Sequence, residues 1–220
     1  MSAKPEEFLQ RKIINGWNLW LLITVPISIA VVIAMSRVDL AQAENVSSMI
    51  QFTVRCAVPL VYVVFAASAL QVLFPSPFGR WLLLNRKYVG LSFAVAMGWQ
   101  LLFILWLVGI HTEHYVEEVY LLSDAIEGVA GYTFLLAMVL TSFKFGRSRL
   151  SGKQWKLLHR TAIYYIWAYA WSVYWFDLFY YDNPVLIDYV YYWAGFLAWG
   201  LRMCAWSKKQ MRHSAVQSPA

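Results

Sequence analysis

The stretch GRSRLSGKQWKLLHRTAIYYIWAYAW occupies residues 146–171 and joins a basic loop to a long run of aromatic and apolar residues. Cations crowd the loop and the start of the run, at Lys144, Arg147, Arg149, Lys153 and Lys156. A basic loop followed directly by an apolar segment is typical of the cytoplasmic loops of membrane proteins. The stretch therefore predicts a membrane-spanning helix, with His159 one turn inside its cytoplasmic end.

The composition of the whole chain agrees with this interpretation. Of its 220 residues, 60% are hydrophobic and only 14% are charged, and the mean hydropathy is +0.52. Such a chain is too apolar for a soluble domain and has the composition of a membrane protein. The formal net charge of +6 lies in short loops between apolar runs, so we expect membrane lipid as a partner and no nucleic acid.

Six segments are long and apolar enough to cross the hydrocarbon core of a bilayer, which takes about 20 residues. They cover residues 17–35, 49–74, 88–110, 124–143, 157–180 and 184–206. The sequence thus predicts an all-α fold, an integral membrane bundle of six transmembrane helices that forms one domain, 17–206. Residues 1–16 precede the domain as an N-terminal segment, and residues 207–220 follow it as a tail.

The charges between these segments predict the orientation of the bundle. Alternating loops place residues 1–16, Arg80, Arg86, Lys87, the cations of 144–156 and the C-terminal cations on one side. The other side receives Asp39, Glu44, Glu113, Glu117, Glu118, Asp124, Asp177 and Asp182, with Arg37. Since cytoplasmic loops carry an excess of cations, we predict that both termini are cytoplasmic.

One cation, Arg55, lies inside the second predicted span, about two turns from its start. A charge at this depth is costly unless it is paired, so a charged residue within a span indicates a functional site. The alternative is a long side chain whose charged head reaches the nearby interface. Both interpretations stay open at the level of sequence.

Two short motifs point to a particular family. RKYVGL, residues 86–91, stands at the start of the third predicted span, and WKLLHR, residues 155–160, stands before the Tyr-rich fifth span. In this order and spacing the motifs resemble the ferric reductase-like transmembrane domain family, nearest to the haem-binding membrane subunit of the methionine-sulfoxide reductase system. The resemblance covers residues 80–206.

This resemblance implies a six-helix bundle in a bacterial inner membrane, which carries electrons across that membrane on b-type haem held by histidines of the third and fifth spans. His159 occupies the position of the family's histidine at the cytoplasmic end of the fifth span. The two outer histidines of the family correspond to Gln100 and Ser172, and neither an amide nor a hydroxyl is an ordinary haem ligand. We therefore expect at most one b-type haem, with Gln100 and Ser172 hydrogen-bonded across the vacated space.

Two functions follow from these motifs. In the first, the chain is a non-catalytic electron-transfer subunit of an oxidoreductase, with His159 as the surviving haem ligand and a separate redox protein or an anionic flavin docked at its cytoplasmic side. We assign this docking to Arg86, Lys87, Arg147, Arg149 and Lys153, and we count Trp155 with His159 among the cofactor-binding residues. In the second, the chain is a haem-free scaffold, assembly or ligand-binding subunit of a larger membrane complex, and His159 only anchors the start of its helix.

A candidate metal site lies between the third and fourth spans. His111, His114 and Glu118 are ligand types that zinc or copper uses, and His114 and Glu118 share a face if the segment is helical. The alternative interpretation is a solvated acidic loop.

The last two predicted spans are rich in aromatic residues. Those near the outer surface fit an interfacial aromatic belt, whereas those at mid-membrane fit a flat cavity for a quinone, a carotenoid or a lipid. The residues concerned are Trp167, Trp171, Trp175, Tyr180, Tyr181 and Tyr192.

Overall fold

The computed structural model describes residues 5–180 and 184–217, and all regular structure in these residues is helical. The long helices are α1 (Gly16–Met35), α2 (Ala43–Leu73), α3 (Pro77–Ile110), α4 (Leu122–Thr141), α5 (Gly152–Phe179) and α6 (Leu186–Gln217). Short helical segments lie at Pro5–Leu9, Lys12–Ile14, Thr112–His114, Tyr115–Val119 and Lys144–Arg147. The predicted all-α fold class is confirmed, while Tyr181 and Asp182 lie outside the described residues.

Four helices in the described part of the chain, α1 to α4, are long and apolar enough to cross a membrane. This finding is compatible with an integral membrane protein. Helices α5 and α6 are 28 and 32 residues long, which at 1.5 Å per residue is about 42 and 48 Å. They carry Tyr, Trp and charged residues where α1 to α4 carry aliphatic ones.

Helix α3 begins earlier than predicted and takes in part of the basic loop. The hydroxyl of Ser76 accepts a hydrogen bond from the backbone N–H of Gly79 at 3.1 Å, and Pro77 stands at the first helical position. Both features favour a helix start. The Ser76 hydroxyl caps a backbone N–H of the first turn, and the N–H that proline lacks would have no partner within the helix at that position. Arg86 and Lys87 therefore lie on α3 and not in a loop.

Helix α5 also begins ahead of residue 157. Ser151 and Gln154 form a capping box, in which the Ser151 hydroxyl accepts from the Gln154 backbone N–H at 3.2 Å and the Gln154 side chain accepts from the Ser151 N–H at 2.9 Å. This pattern is a helix-start signal that hydropathy does not register. His159 thus lies about two turns inside the helix instead of one.

Polar residues likewise extend α6 and α2 beyond their predicted spans. Helix α6 runs to Gln217, so the predicted tail, 207–220, is helical as far as it is described. Helix α2 begins at Ala43, ahead of residue 49. In both helices the charged or polar turns continue the backbone hydrogen bonding, and hydropathy marks only the apolar part.

The helices run so that both described ends of the chain lie at one end of the bundle. The backbone N–H of Gly16 donates to the side chain of Asn85 on α3 at 2.9 Å, and Lys208 on α6 donates to the carbonyl of Val72 on α2 at 3.0 Å. We call this the basic end, because it collects Arg80, Arg86, Lys87, Arg147, Arg149, Lys153, Lys156, Arg160, Arg202 and Lys208.

Helix α2 is the centre of the bundle. It packs most extensively against α3 and α6, and also contacts α1 and α5. Its fully buried residues include Ala57, Val61 and Phe65, which form one core cluster with Ala96 of α3 and Ala198 of α6. Small residues at these positions let neighbouring helices approach closely, which is how membrane helices gain packing energy.

Arg55 of α2 pairs with a carboxylate that the sequence did not single out. Its guanidinium lies 3.6 Å from Asp188 of α6, whose side chain is buried. Asp188 also accepts from the backbone N–H of Val185 at 2.9 Å, and the hydroxyl of Tyr191 donates to the Arg55 carbonyl at 2.9 Å. These contacts join α2 to α6, and the pair is the one ion pair within 4 Å among the described residues.

Gly195 of α6 marks the closest approach within this core. A Cβ atom at this position would stand 2.7 Å from both the Tyr62 hydroxyl and Cδ1 of Trp171. Such separations are shorter than van der Waals contact, so any side chain must displace one of the two rings. By contrast, a Cβ at Gly200 on the same helix meets no atom within 4 Å.

We therefore predict that Gly195→Ala lowers the free energy of unfolding by about 1–3 kcal/mol relative to Gly200→Ala, which is the usual cost of overpacking a core. Both variants gain the same helix propensity, about 1 kcal/mol, so the difference isolates the packing. Thermal unfolding of the purified protein in detergent measures it. Equal stability of the two variants would contradict the close approach.

Candidate functional site

A cavity of about 560 Å³ opens at the basic end, between α3, α4 and α5 with walls from α2 and α6. We call it the basic cavity. Its volume lies within the range of roughly 300–1,000 Å³ that is usual for small-molecule sites. Six cations line it, at Arg86, Lys87, Arg147, Lys156, Arg160 and Arg202. Its described lining contains no Asp or Glu.

The helix order explains why these cations converge. Helices α3 and α5 begin at the basic end and contribute cations from their first three turns, while Arg202 lies in the middle of α6. The cavity therefore favours an anionic occupant by the charge of its side chains.

Arg202, like Arg86, is half-buried, whereas the other four cations of the cavity are exposed. The Arg202 guanidinium stacks over the rings of Phe65 and Tyr164, 4.4 Å from each centroid, and donates to the Phe65 carbonyl at 3.3 Å. Within the described residues no carboxylate lies within ion-pair distance of it. A partly buried charge without an opposite charge is costly and indicates a binding role.

His159 stands in the wall of the basic cavity, where its orientation is fixed by hydrogen bonding. Its Nε2 lies 2.9 Å from the Thr141 hydroxyl, and that hydroxyl donates to the Ala137 carbonyl at 2.6 Å. Because a hydroxyl has one proton to donate, Nε2 is the donor to Thr141, and Nδ1 keeps the free lone pair.

Trp155 supports this arrangement from one turn earlier on α5. Its ring centroid lies 4.3 Å from that of His159, and its indole N–H donates to the Thr141 carbonyl at 3.1 Å. The guanidinium of Arg147 lies over the Trp155 ring, 5.2 Å from the ring centroid. Helices α4 and α5 are thus joined at the basic end through Thr141.

Three of the five predicted docking residues meet in this cavity. Arg86, Lys87 and Arg147 line it together with Trp155 and His159. Arg149 and Lys153 are not among its described lining residues, and the guanidinium of Arg149 lies over the ring of Phe145, 4.0 Å from the centroid.

Two residues that line the cavity, Arg202 and Met138, are not predicted as site residues from the sequence. Arg202 lies inside the predicted sixth span, 184–206, so the rule that marks Arg55 also marks Arg202. Met138, one turn before Thr141 on α4, also lines the cavity. Its type gives no signal in an apolar span, since methionine is an ordinary core residue.

Gln100 and Ser172 are expected from the sequence to bond to each other, but the structure gives each of them another partner. The Gln100 side-chain oxygen accepts from the Tyr132 hydroxyl at 3.0 Å, which links α3 to α4. Ser172 donates to the Tyr169 carbonyl of its own helix at 2.9 Å. Each polar group has another partner, so the expected bond between Gln100 and Ser172 is replaced by one bond between α3 and α4 and one within α5.

The aromatic residues of α5 and α6 pack against one another. Phe65 stacks on Trp167 at 5.0 Å between ring centroids, Trp167 on Trp171 at 6.1 Å, and Trp171 on Tyr192 at 5.4 Å. The Trp167 indole donates to the Gly195 carbonyl at 3.0 Å. The column ties α2, α5 and α6 together, and it begins at Phe65, whose carbonyl accepts from Arg202.

The candidate metal residues lie at the opposite end of the bundle. Nε2 of His111 stands 3.2 Å from the Leu40 carbonyl, while His114 ends a short helix and Glu118 lies in the π-helix Tyr115–Val119. No group of three or more His, Cys, Asp or Glu side chains in the described residues is arranged to hold a metal ion.

The chain matches no protein-family model, no curated protein and no solved structure in the three comparisons made. The chemistry of the site is therefore judged from its own residues.

The b-type haem that the family resemblance implies is compatible with the donor groups of the basic cavity. His159 offers an imidazole, and Met138 is the other lining residue of a type that binds haem iron. Arginines suit haem propionates because the guanidinium pairs with carboxylates in a fixed geometry. Thr141 also bonds the ring of His159, as groups behind a ligating histidine commonly do.

Proposed function

We propose that this protein is a membrane component of ferric reductase-like type in an electron-transfer system, with one b-type haem in the basic cavity. The observation that supports this proposal is the position of His159 in the wall of a cavity that six cations line. No carboxylate is found among the described residues of that lining. The motifs at 86–91 and 155–160, which carry the resemblance, supply eight of the lining residues.

In this proposal each residue has a defined task. His159 would bind the iron, with Thr141 orienting its ring, and Met138 is the candidate for a second ligand. Arg160 and Arg202 would hold the propionates, while Ile163 and Ile166 in the wall would exclude water. The haem, when bound, accepts and releases one electron at a time.

We further propose six spans, with both termini in the cytoplasm of a bacterial inner membrane. The concentration of cations at the basic end supports this orientation, since cytoplasmic loops carry an excess of Lys and Arg. Arg149 and Lys153 are exposed there and provide a docking surface for a separate redox protein or a flavin. That partner delivers or receives the electron.

A haem-free ligand-binding or scaffold subunit of a larger membrane complex is the second candidate. Two observations favour it. Nε2 of His159 is already bonded to Thr141, and the positions of the family's outer histidines hold Gln100 and Ser172, which have local partners. An anionic ligand other than haem then neutralises the cations of the cavity.

An absorption spectrum of the purified protein, recorded before and after dithionite, distinguishes these candidates. We expect a Soret band that shifts on reduction and is lost in His159→Ala. His114→Ala is the matched control and keeps the band, because His114 lies at the opposite end of the bundle. Well-folded protein without a Soret band would rule out the electron-transfer candidate and leave the haem-free one.

The orientation is tested with single cysteines at Ser148 and Ser123, both exposed and at opposite ends of the bundle. Each is placed in a background in which Cys56 and Cys204 are alanine. A membrane-impermeant maleimide is expected to label Ser123→Cys in intact cells with a permeable outer membrane, and Ser148→Cys only after lysis. The reverse labelling would show that the basic end faces outward.

A further inference from the structure

A second cavity, which we call the apolar groove, lies between α1, α3 and α4 and has a volume of about 430 Å³. Its described lining contains no charged side chain. It is open to the surface of the bundle, since Trp17 and Leu136 in its walls are 48% and 59% exposed. It adjoins the basic cavity, with which it shares Leu91, Leu135 and Val139.

The groove exists because α4 is held mainly by α5. Helices α4 and α5 pack extensively, whereas α3 and α4 touch only marginally. Bridging contacts are confined to the two ends of the gap, where Tyr132 bonds to Gln100 and Phe143 stacks on Trp17 at 6.2 Å. Protein interiors are normally close-packed, so an apolar gap of this size in a bilayer must be filled by hydrocarbon.

The length of the groove matches one leaflet of a bilayer. Along α3 it runs from Leu91 to Leu101, which is about 15 Å at 1.5 Å per residue. The hydrocarbon core is about 30 Å thick. The groove begins near the basic end and stops at the hydrogen bond between Tyr132 and Gln100. A single acyl chain from the leaflet at the basic end therefore spans it.

A cation stands at the mouth of the groove. The ammonium of Lys87 lies 4.8 Å from the ring centroid of Phe143 and 6.0 Å from that of Trp17, and both rings line the groove. Lys87 is exposed, and no carboxylate in the described chain lies within 4 Å of it. Lys144, which follows Phe143, adds a second exposed cation. A negative headgroup is therefore favoured over a neutral one.

We propose that the apolar groove binds one anionic phospholipid, with an acyl chain between α3 and α4 and its phosphate at Lys87. The lipid closes the gap that the helices leave and holds α4 against α3. This inference requires insertion in a membrane but no haem, so it goes beyond the proposed function.

Native mass spectrometry of the full chain tests the proposal, with phosphatidylglycerol or phosphatidylcholine of the same acyl chains added to the detergent. We expect one phosphatidylglycerol to stay bound where phosphatidylcholine is lost. Gly98→Phe is expected to abolish retention, because a Cβ at Gly98 points into free space in the groove. Lys87→Gln is expected to weaken binding about fivefold, the contribution of one cation near an anionic lipid surface.

Two control variants lie on the same helix. A Cβ at Gly109 also meets nothing within 4 Å, but Gly109 does not line the groove, so Gly109→Phe should retain the lipid. Arg80 is an exposed cation that lines neither cavity, so Arg80→Gln should bind as the parent protein does. Lys87→Gln leaves the walls of the groove intact and keeps the test valid if Gly98→Phe fails to fold.

Several results would overturn the proposal. Equal retention of the two lipids would remove the headgroup preference, and lipid retention by Gly98→Phe would place the lipid elsewhere. A dimer without lipid would identify a second copy of the chain as the occupant. The haem spectrum of Gly98→Phe is expected to be unchanged, since Gly98 does not line the basic cavity, so failure here is distinct from failure of the electron-transfer proposal.

Discussion

The structure depends on the close packing of α2 within the bundle. Its small buried residues, such as Ala57 and Ala66, allow α1, α3, α5 and α6 to surround it. In a membrane this packing replaces the hydrophobic effect, because lipid tails are as apolar as the side chains. Polar ties at two depths reinforce it, through Arg55 to Asp188 and through Arg202 to the carbonyl of Phe65.

Helix α4 is the long helix that does not pack extensively against α2. Both cavities result from this arrangement. Because α4 packs on α5 and stands apart from α3, space remains on either side of Leu91, Leu135 and Val139. On the inner side this space receives the cations of α3, α5 and α6. On the outer side it receives only apolar groups, with Lys87 at the boundary. An anionic cofactor and an anionic lipid therefore occupy neighbouring sites in the two proposals.

The two halves of the bundle differ in what they hold. The half at the basic end is open and positively charged, and His159 faces the opening. In the other half the interior contains the stacked rings of Trp167 and Trp171. It also contains the side chains of Tyr132 and Gln100, which are hydrogen-bonded to each other. In the electron-transfer proposal, this contrast leaves room for one haem, at the basic end.

The sequence by itself determined the helical class, the positions of the long helices and the location of the basic motifs, because apolar runs and charge clusters are local properties. Helix ends were less predictable, since polar turns extend α3 and α6 and the capping box at Ser151 starts α5 early. Only the tertiary structure decided that Asp188 pairs with Arg55, that Arg202 joins His159 in one cavity, and that α4 leaves a groove beside α3. These outcomes depend on which helices become neighbours, and that choice is made by packing between residues far apart in the chain.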